Sequence, residues 1–191
     1  MTEKTLGDGA GKRIPCRVLF AVTVGFAVAM TPLALGLVAA NRPPAPLPPG
    51  TEADRVVVDK SGRTLTLLRD GTVLAVYPVS LGAAPVGHKQ REGDERTPEG
   101  TYVLDWRNDE SIAHRSIHVS YPDADDVARA EAVGVAPGGQ IMVHGITNGL
   151  GWLGRLHLLA DWTDGCIGVT NAEMDQIWDA VADGTPIEIR P

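Results

Sequence analysis

The sequence predicts a mostly-β fold of sandwich or barrel type with one C-terminal helix, preceded by an apolar transmembrane or signal segment. Three observations carry this. Short β-rich runs recur between turn dipeptides from residue 55 onward, with period-two burial in prospect. One stretch near the C-terminus repeats apolar residues with helical spacing. Near the N-terminus, 23 residues from Val18 to Ala40 carry no charge.

In chain order, residues 1–17 form a basic start with Lys4, Lys12, Arg13 and Arg17. The run 18–40 is long enough for a membrane-spanning helix, which needs about 20 residues. Thr31-Pro32 interrupts it, and Val38-Ala39-Ala40 offers small residues for cleavage, so a removed signal fits as well as a retained anchor. On either reading the basic flank stays in the cytoplasm and the rest of the chain is exported. Cys16 stands before the run, so it cannot be a lipoprotein cleavage cysteine. Residues 41–50, rich in proline, read as a stiff extended spacer that holds the 51–191 domain off the membrane.

Within that domain, Arg55–Asp59, Thr64–Leu68 and Thr72–Val79 read as three strands of an antiparallel meander, punctuated by Ser61-Gly62 and Asp70-Gly71. Ser116–Ser120 and Gln140–His144 read as further short strands, and Asp123–Val133 as a short helix or turn. The clearest helix follows Thr170, where Thr170-x-x-Glu173 fits a capping box and Met174, Ile177, Trp178 and Val181 share one face. Asp183-Gly184 ends it, and Ile187–Ile189 reads as a closing strand.

Charge divides unevenly. Residues 1–50 carry five Lys/Arg against two Asp/Glu, and residues 51–191 carry twelve against twenty-two. So acidic a domain is unsuited to nucleic acid, which rewards clustered cations.

The domain holds one cysteine, Cys166, in Trp162-Thr-Asp-Gly-Cys-Ile167. A lone thiol in an exported domain has no disulfide partner, and the flanking Thr, Asp and Gly suit an exposed turn. His144 ends an apolar strand before Gly145, which allows close backbone approach. A thiol with a separated histidine is sufficient for covalent acyl transfer. Two strand ends at one sheet edge would bring them within hydrogen-bond reach, and a neighbouring imidazolium would draw the thiol below its usual value of about 8.5. The Gly165 and Cys166 N–H groups suit an oxyanion site. Asp164 would raise the thiol's pKa if it faced it, and is expected to point away, capping the turn or meeting a substrate amine.

Other features are weaker. His114 and His118 share a face if 111–120 is extended, but no ligand spacing supports zinc, and no metal or cofactor is expected. His157 alternates with leucines and reads as structural. Gly149–Gly154 reads equally as a flap whose Trp152 covers a ligand or as a plain turn.

In order along the chain, Val79-Ser-Leu-Gly82, Arg96-Thr-Pro-Glu-Gly-Thr-Tyr102, Ile141-Met-Val-His-Gly145 and Thr163-Asp-Gly-Cys-Ile167 resemble the L,D-transpeptidase catalytic domain, the YkuD family, over about residues 54–190. The resemblance implies a β-sandwich-like domain with Cys166 as nucleophile and His144 as its proton partner. It implies peptidoglycan stem peptides as substrate, in the cell envelope. Two departures stand out. The common family motif has Ser-His-Gly-Cys-Ile-Arg, whereas this chain has Asp164 before the glycine and Gly168 at the arginine position. Arg155 or Arg96 is expected to stand in for that arginine.

The expected activity is therefore cross-linking through a cysteine thioester. Hydrolysis of the same thioester is the alternative, as an L,D-carboxypeptidase or an amidase. A sortase expects an arginine soon after the cysteine, and none occurs between Cys166 and Arg190. A non-catalytic wall-binding module leaves the Cys/His pair without a purpose.

Overall fold

The computed structural model describes residues 34–191, of which 34–40 are helical. The rest of the expected apolar segment, with the basic start and Cys16, lies outside the described residues. Among the described residues no helix is long and apolar enough to cross a membrane. From Ala40 to Pro191 the chain forms one compact unit.

The meander forms as its periodicity dictates. Strands β1 (Arg55–Asp59), β2 (Thr64–Arg69) and β3 (Thr72–Pro78) pair antiparallel in sequence order. Alternate residues Val56, Val58, Leu65 and Leu67 are fully buried on the inner face. Asp70 (φ 49°) and Gly71 (φ 75°) both take the left-handed conformation that a two-residue hairpin of this twist requires. The β1–β2 turn is held by the Asp59 carboxylate, which accepts from Gly62 N–H (2.6 Å) and Ser61 Oγ (2.8 Å).

The sheet grows by insertion rather than succession. Strand β4 (Gly100–Asn108) is followed by β5 (Ser116–Val119), β6 (Met142–His144), β7 (Ile167–Gly168) and β8 (Thr185–Arg190). Spatial order is β3-β2-β1-β8-β4-β5-β6-β7. The last strand thus sits mid-sheet, parallel to β1 and antiparallel to β4. Beyond β3, Ser80 N–H donates to Gly168 O (2.9 Å) and Gly168 N–H returns to Ser80 O (2.8 Å). One curled sheet closes on its own far edge, in place of two stacked sheets. The core inside it includes Tyr77, Leu81, Leu104, Ile117, Ile167 and Ile187.

Two α-helices, not one, belong to this unit. Helix α1 (Ala124–Ala132) starts at an Asp123/Asp126 capping box, and α2 (Asn171–Ala180) at the expected Thr170/Glu173 box. Asp126 also accepts from Tyr102 OH (3.0 Å) and meets His88 Nε2 (2.9 Å) and Arg129, tying α1 to the loop before β4. Met174 and Ile177 bury the inner face of α2. Residues 151–159 are a kinked 3₁₀ segment. The Pro-rich stretch is not a free spacer. Leu47 packs on the core, Ala45 O accepts from Gln176 Nε2 (3.0 Å), and Asn41 Nδ2 donates to Trp152 O (2.8 Å).

Candidate active site

Strands β6 and β7 pair parallel, with His144 opposite Gly168 and Val143 opposite Ile167. Continued one residue back from Ile167, this parallel register sets Cys166 level with Met142, two residues before His144 and on the same face of the sheet. Cys166 stands one residue before β7, and both side chains reach one groove of about 410 Å³ that Trp162, Met142, Gln140 and Ile112 also line.

The cysteine turn is set by side-chain hydrogen bonds to backbone. Thr163 Oγ1 donates to Cys166 O (2.8 Å) and accepts from Gly165 N–H (3.2 Å). Thr163, not Asp164, caps the turn. Gly165 has φ 121°, and a Cβ there would lie 2.5 Å from Arg96 O, so only glycine fits. Its N–H is already occupied by Thr163, which removes it from the expected oxyanion pair.

His144 Nδ1 is 2.6 Å from Gly145 O, a geometry that assigns the proton to Nδ1 and leaves Nε2 as the lone-pair nitrogen. Gly145 packs against Asn171 and His114, and Asn171 Oδ1 accepts from Ile146 N–H (2.8 Å), fixing the strand end.

The expected direct hydrogen bond between thiol and imidazole is not formed. Cys166 Sγ–H instead donates to Gln140 O (3.6 Å). Burial pushes the Cys166 thiol up. The Met142 N–H and the Lys89 charge act against burial, whereas the Asp164 charge adds to it, so Asp164 is not electrostatically remote from the thiol. Burial lowers the pKa of His144 too, against the hydrogen bond to Gly145. Both shifts favour neutral thiol and neutral imidazole over an ion pair.

The other expected residues part company. Arg155 reaches Glu173 (3.2 Å), and Arg96 faces the carbonyl of His88 (3.4 Å). Neither lines the groove. His114 has φ 65° in a turn and pairs with Asp175 (2.8 Å), while His118 pairs with Asp105 (2.7 Å) and stacks on Trp106. A bend at 114 ends the extended run that would have aligned them. Among the described residues no group of three or more His, Cys, Asp or Glu converges as metal ligands do. Trp152 is 58% exposed and absent from the groove wall.

Trp162 lines the groove instead, and the sequence reading missed it. Its indole meets His144 edge-on, ring centroids 5.6 Å apart. A Cβ at Gly168 would lie 3.3 Å from indole Cζ2, so the glycine at the arginine position is what the tryptophan packs over. The available signal was a bulky aromatic four residues before the thiol, in a segment otherwise made for a turn.

Residues 53–189 match the model of the L,D-transpeptidase catalytic domain (YkuD), and the chain belongs to that family. Solved structures are similar to the chain at low identity. The helical cell shape determining protein Pgp2 from Campylobacter jejuni is 21% identical with TM-score 0.55, covering 80% of this chain and 53% of that one. The L,D-transpeptidase (residues 123–326) from Xylanimonas cellulosilytica DSM 15894 is 20% identical with TM-score 0.48, covering 76% and 64%. L,D-transpeptidase 1 from Mycobacterium tuberculosis is 21% identical with TM-score 0.45, covering 73% and 62%. The chain spans less than two thirds of each of these neighbours. None of the curated proteins compared matches it.

Proposed function

We propose that this chain is an exported peptidoglycan L,D-transpeptidase that works through a thioester on Cys166, with His144 as proton partner. One observation carries the reading. Two neighbouring parallel strands bring the domain's cysteine and a buried histidine with a free Nε2 to the same groove.

The neutral resting pair sets the order of events. A stem peptide seats with the carbonyl between an L-centre and its terminal D-residue against Sγ. Sγ attacks as its proton passes to His144 Nε2, so no isolated thiolate has to persist in a buried site. The Cys166 N–H is the remaining donor of the expected oxyanion pair. Collapse breaks the C–N bond, and His144 returns the proton to the leaving amine of the D-residue. An amine from a second stem then attacks the thioester and gives its proton to His144. Sγ leaves, recovers that proton, and a new amide links the stems. Two acyl transfers replace one difficult amide exchange. The domain acts outside the cytoplasm, behind a retained anchor or a removed signal.

Product analysis of the purified chain with a tetrapeptide donor and an amine acceptor tests this. A cross-linked dimer is expected. Tripeptide alone would make the enzyme a hydrolase, and no product from any acceptor would overturn the reading.

A further inference from the structure

His157 is 93% withdrawn from solvent, being 7% exposed, and takes no part in the mechanism above. It sits in the 3₁₀ segment, and its Nδ1 lies 3.3 Å from Trp162 Nε1 and 3.3 Å from Ser80 Oγ. The Ser80 hydroxyl donates to His157 O (3.0 Å), so its proton is committed elsewhere. Nδ1 therefore accepts from the indole N–H, which assigns the ring proton to Nε2. That Nε2 is buried with no partner among the described residues. A buried donor left unpaired is costly, and such groups call for an explanation beyond packing.

The explanation is what Nδ1 holds. Trp162 stands between two histidines, edge-on to His157 at 6.2 Å and to His144 at 5.6 Å. Gly168 leaves the space that the indole occupies, and a Cβ there would also lie 3.8 Å from His144 Cε1. The indole is 38% exposed toward the groove, whereas His144 behind it is 8% exposed. Trp162 is thus the wall that keeps water from the imidazole.

We propose that His157 is a positioning residue for the chemistry at Cys166, acting through Trp162: its Nδ1 holds the indole N–H, and the held indole keeps the His144 ring dry and aimed. Other charged groups near this wall are otherwise engaged or farther along the groove. Asp161 is bound by Arg63 and by Leu81 N–H, and Asp164 borders the groove mouth. Burial pushes the His157 pKa down to about 4, so near neutral pH the ring stays an acceptor at Nδ1.

The test uses the full chain, with iodoacetamide alkylation followed by mass spectrometry on the peptide containing Cys166, across pH. His157→Leu removes the acceptor. The indole then swings free, His144 hydrates, imidazolium forms more readily, and alkylation near pH 7 rises several-fold as its midpoint moves to lower pH. His157→Asn keeps an acceptor close to the Nδ1 position and returns the profile toward wild type. Trp162→Phe, with His157 untouched, keeps a ring but no N–H and shifts the profile as His157→Leu does; in that background His157→Leu adds nothing. If His157→Leu does not fold, the Trp162→Phe arm decides alone. An unmoved pH profile in the folded variants, with only thermal stability changed, overturns the proposal. Turnover is the second arm and rests on the transpeptidase reading. Loss of aim lowers kcat by about tenfold to a hundredfold while KM for the donor stays near wild type. Alkylation needs no peptidoglycan, so a shifted profile without turnover sinks the transpeptidase reading and spares this one.

Discussion

The two ends of the curled sheet are built on different principles. At one end, β1 to β3 are five, six and seven residues long and pair with their neighbours in sequence. Their stability comes from alternate apolar residues on one face. At the other end, β5 to β7 are four, three and two residues long. There the backbone is held by single polar side chains: Thr163 at the cysteine turn, Asn171 at the end of β6, and Asp161, which accepts from Leu81 N–H (2.9 Å). The strong end carries none of the candidate chemistry, and the weakly laddered end carries all of it. Short strands end early, and their ends place Cys166 and His144 at a groove. A long ladder would have buried the same backbone in pairing.

If the division is right, substitutions at the two ends should fail in different ways. The largest effect belongs to the site end. Cys166→Ala should abolish turnover and any carbapenem adduct seen by intact mass, with the unfolding midpoint nearly unchanged, and His144→Ala should slow turnover by about 10²–10⁴-fold. An adduct surviving Cys166→Ala would break the comparison outright. Leu67→Ala, in the meander core, should do the reverse. It should cost about 2–5 kcal/mol in urea unfolding while activity per folded molecule stays at the wild-type level. A matching loss of specific activity would show that the ends are coupled.

The third effect is a pH dependence carried by the site end. His157 falls from its ordinary 6.5 to about 4 through burial, and the neighbouring His144 adds to this. The unfolded chain therefore binds the proton first as pH drops. Stability is full above pH 6.5 and is lost between 6.5 and 4, by on the order of 3 kcal/mol from His157 alone. His144, lowered by burial in the same direction, steepens the loss. Urea unfolding at pH 7 and 4.5 for wild type and His157→Leu checks this, and equal slopes would refute it. The smallest effect is at the groove mouth. Asp164→Asn removes one of the two influences that raise the thiol's pKa, the lesser one, so alkylation of Cys166 should shift slightly to lower pH. A large shift would mean that the Asp164 charge, not burial, governs the thiol.

Legibility follows the same division. The starts of β1, β2, β3 and α2 were readable, with the ends of β2 and β3 one residue off, because alternation, an Asp-Gly turn and a capping box are local signals. Strand β4 was not read as a strand, since Asp105 and Arg107 interrupt its apolar pattern while only Tyr102 and Leu104 face the core. Strand β7 is too short to have a pattern at all. Helix α1 was left between helix and turn because its cap uses Asp126, not Glu or Gln, at the third position. At the site, Cys166 and His144 stood out by residue type, but the replacement for the missing arginine did not. Arg155 and Arg96 were sought for their charge, whereas the space over Gly168 is filled by an aromatic ring.

By itself, the sequence determined whatever depends on neighbours along the chain: the mostly-β class, the meander, the capped helix after Thr170, and a candidate thiol and imidazole. Only the tertiary structure decided that β8 enters mid-sheet, that the chain after β3 returns to Gly168, and that Trp162 stands between His144 and His157. Those depend on contacts between residues far apart in sequence. Burial is also a property of the whole fold, so the neutral state of the thiol and imidazole could be read only once the groove had walls.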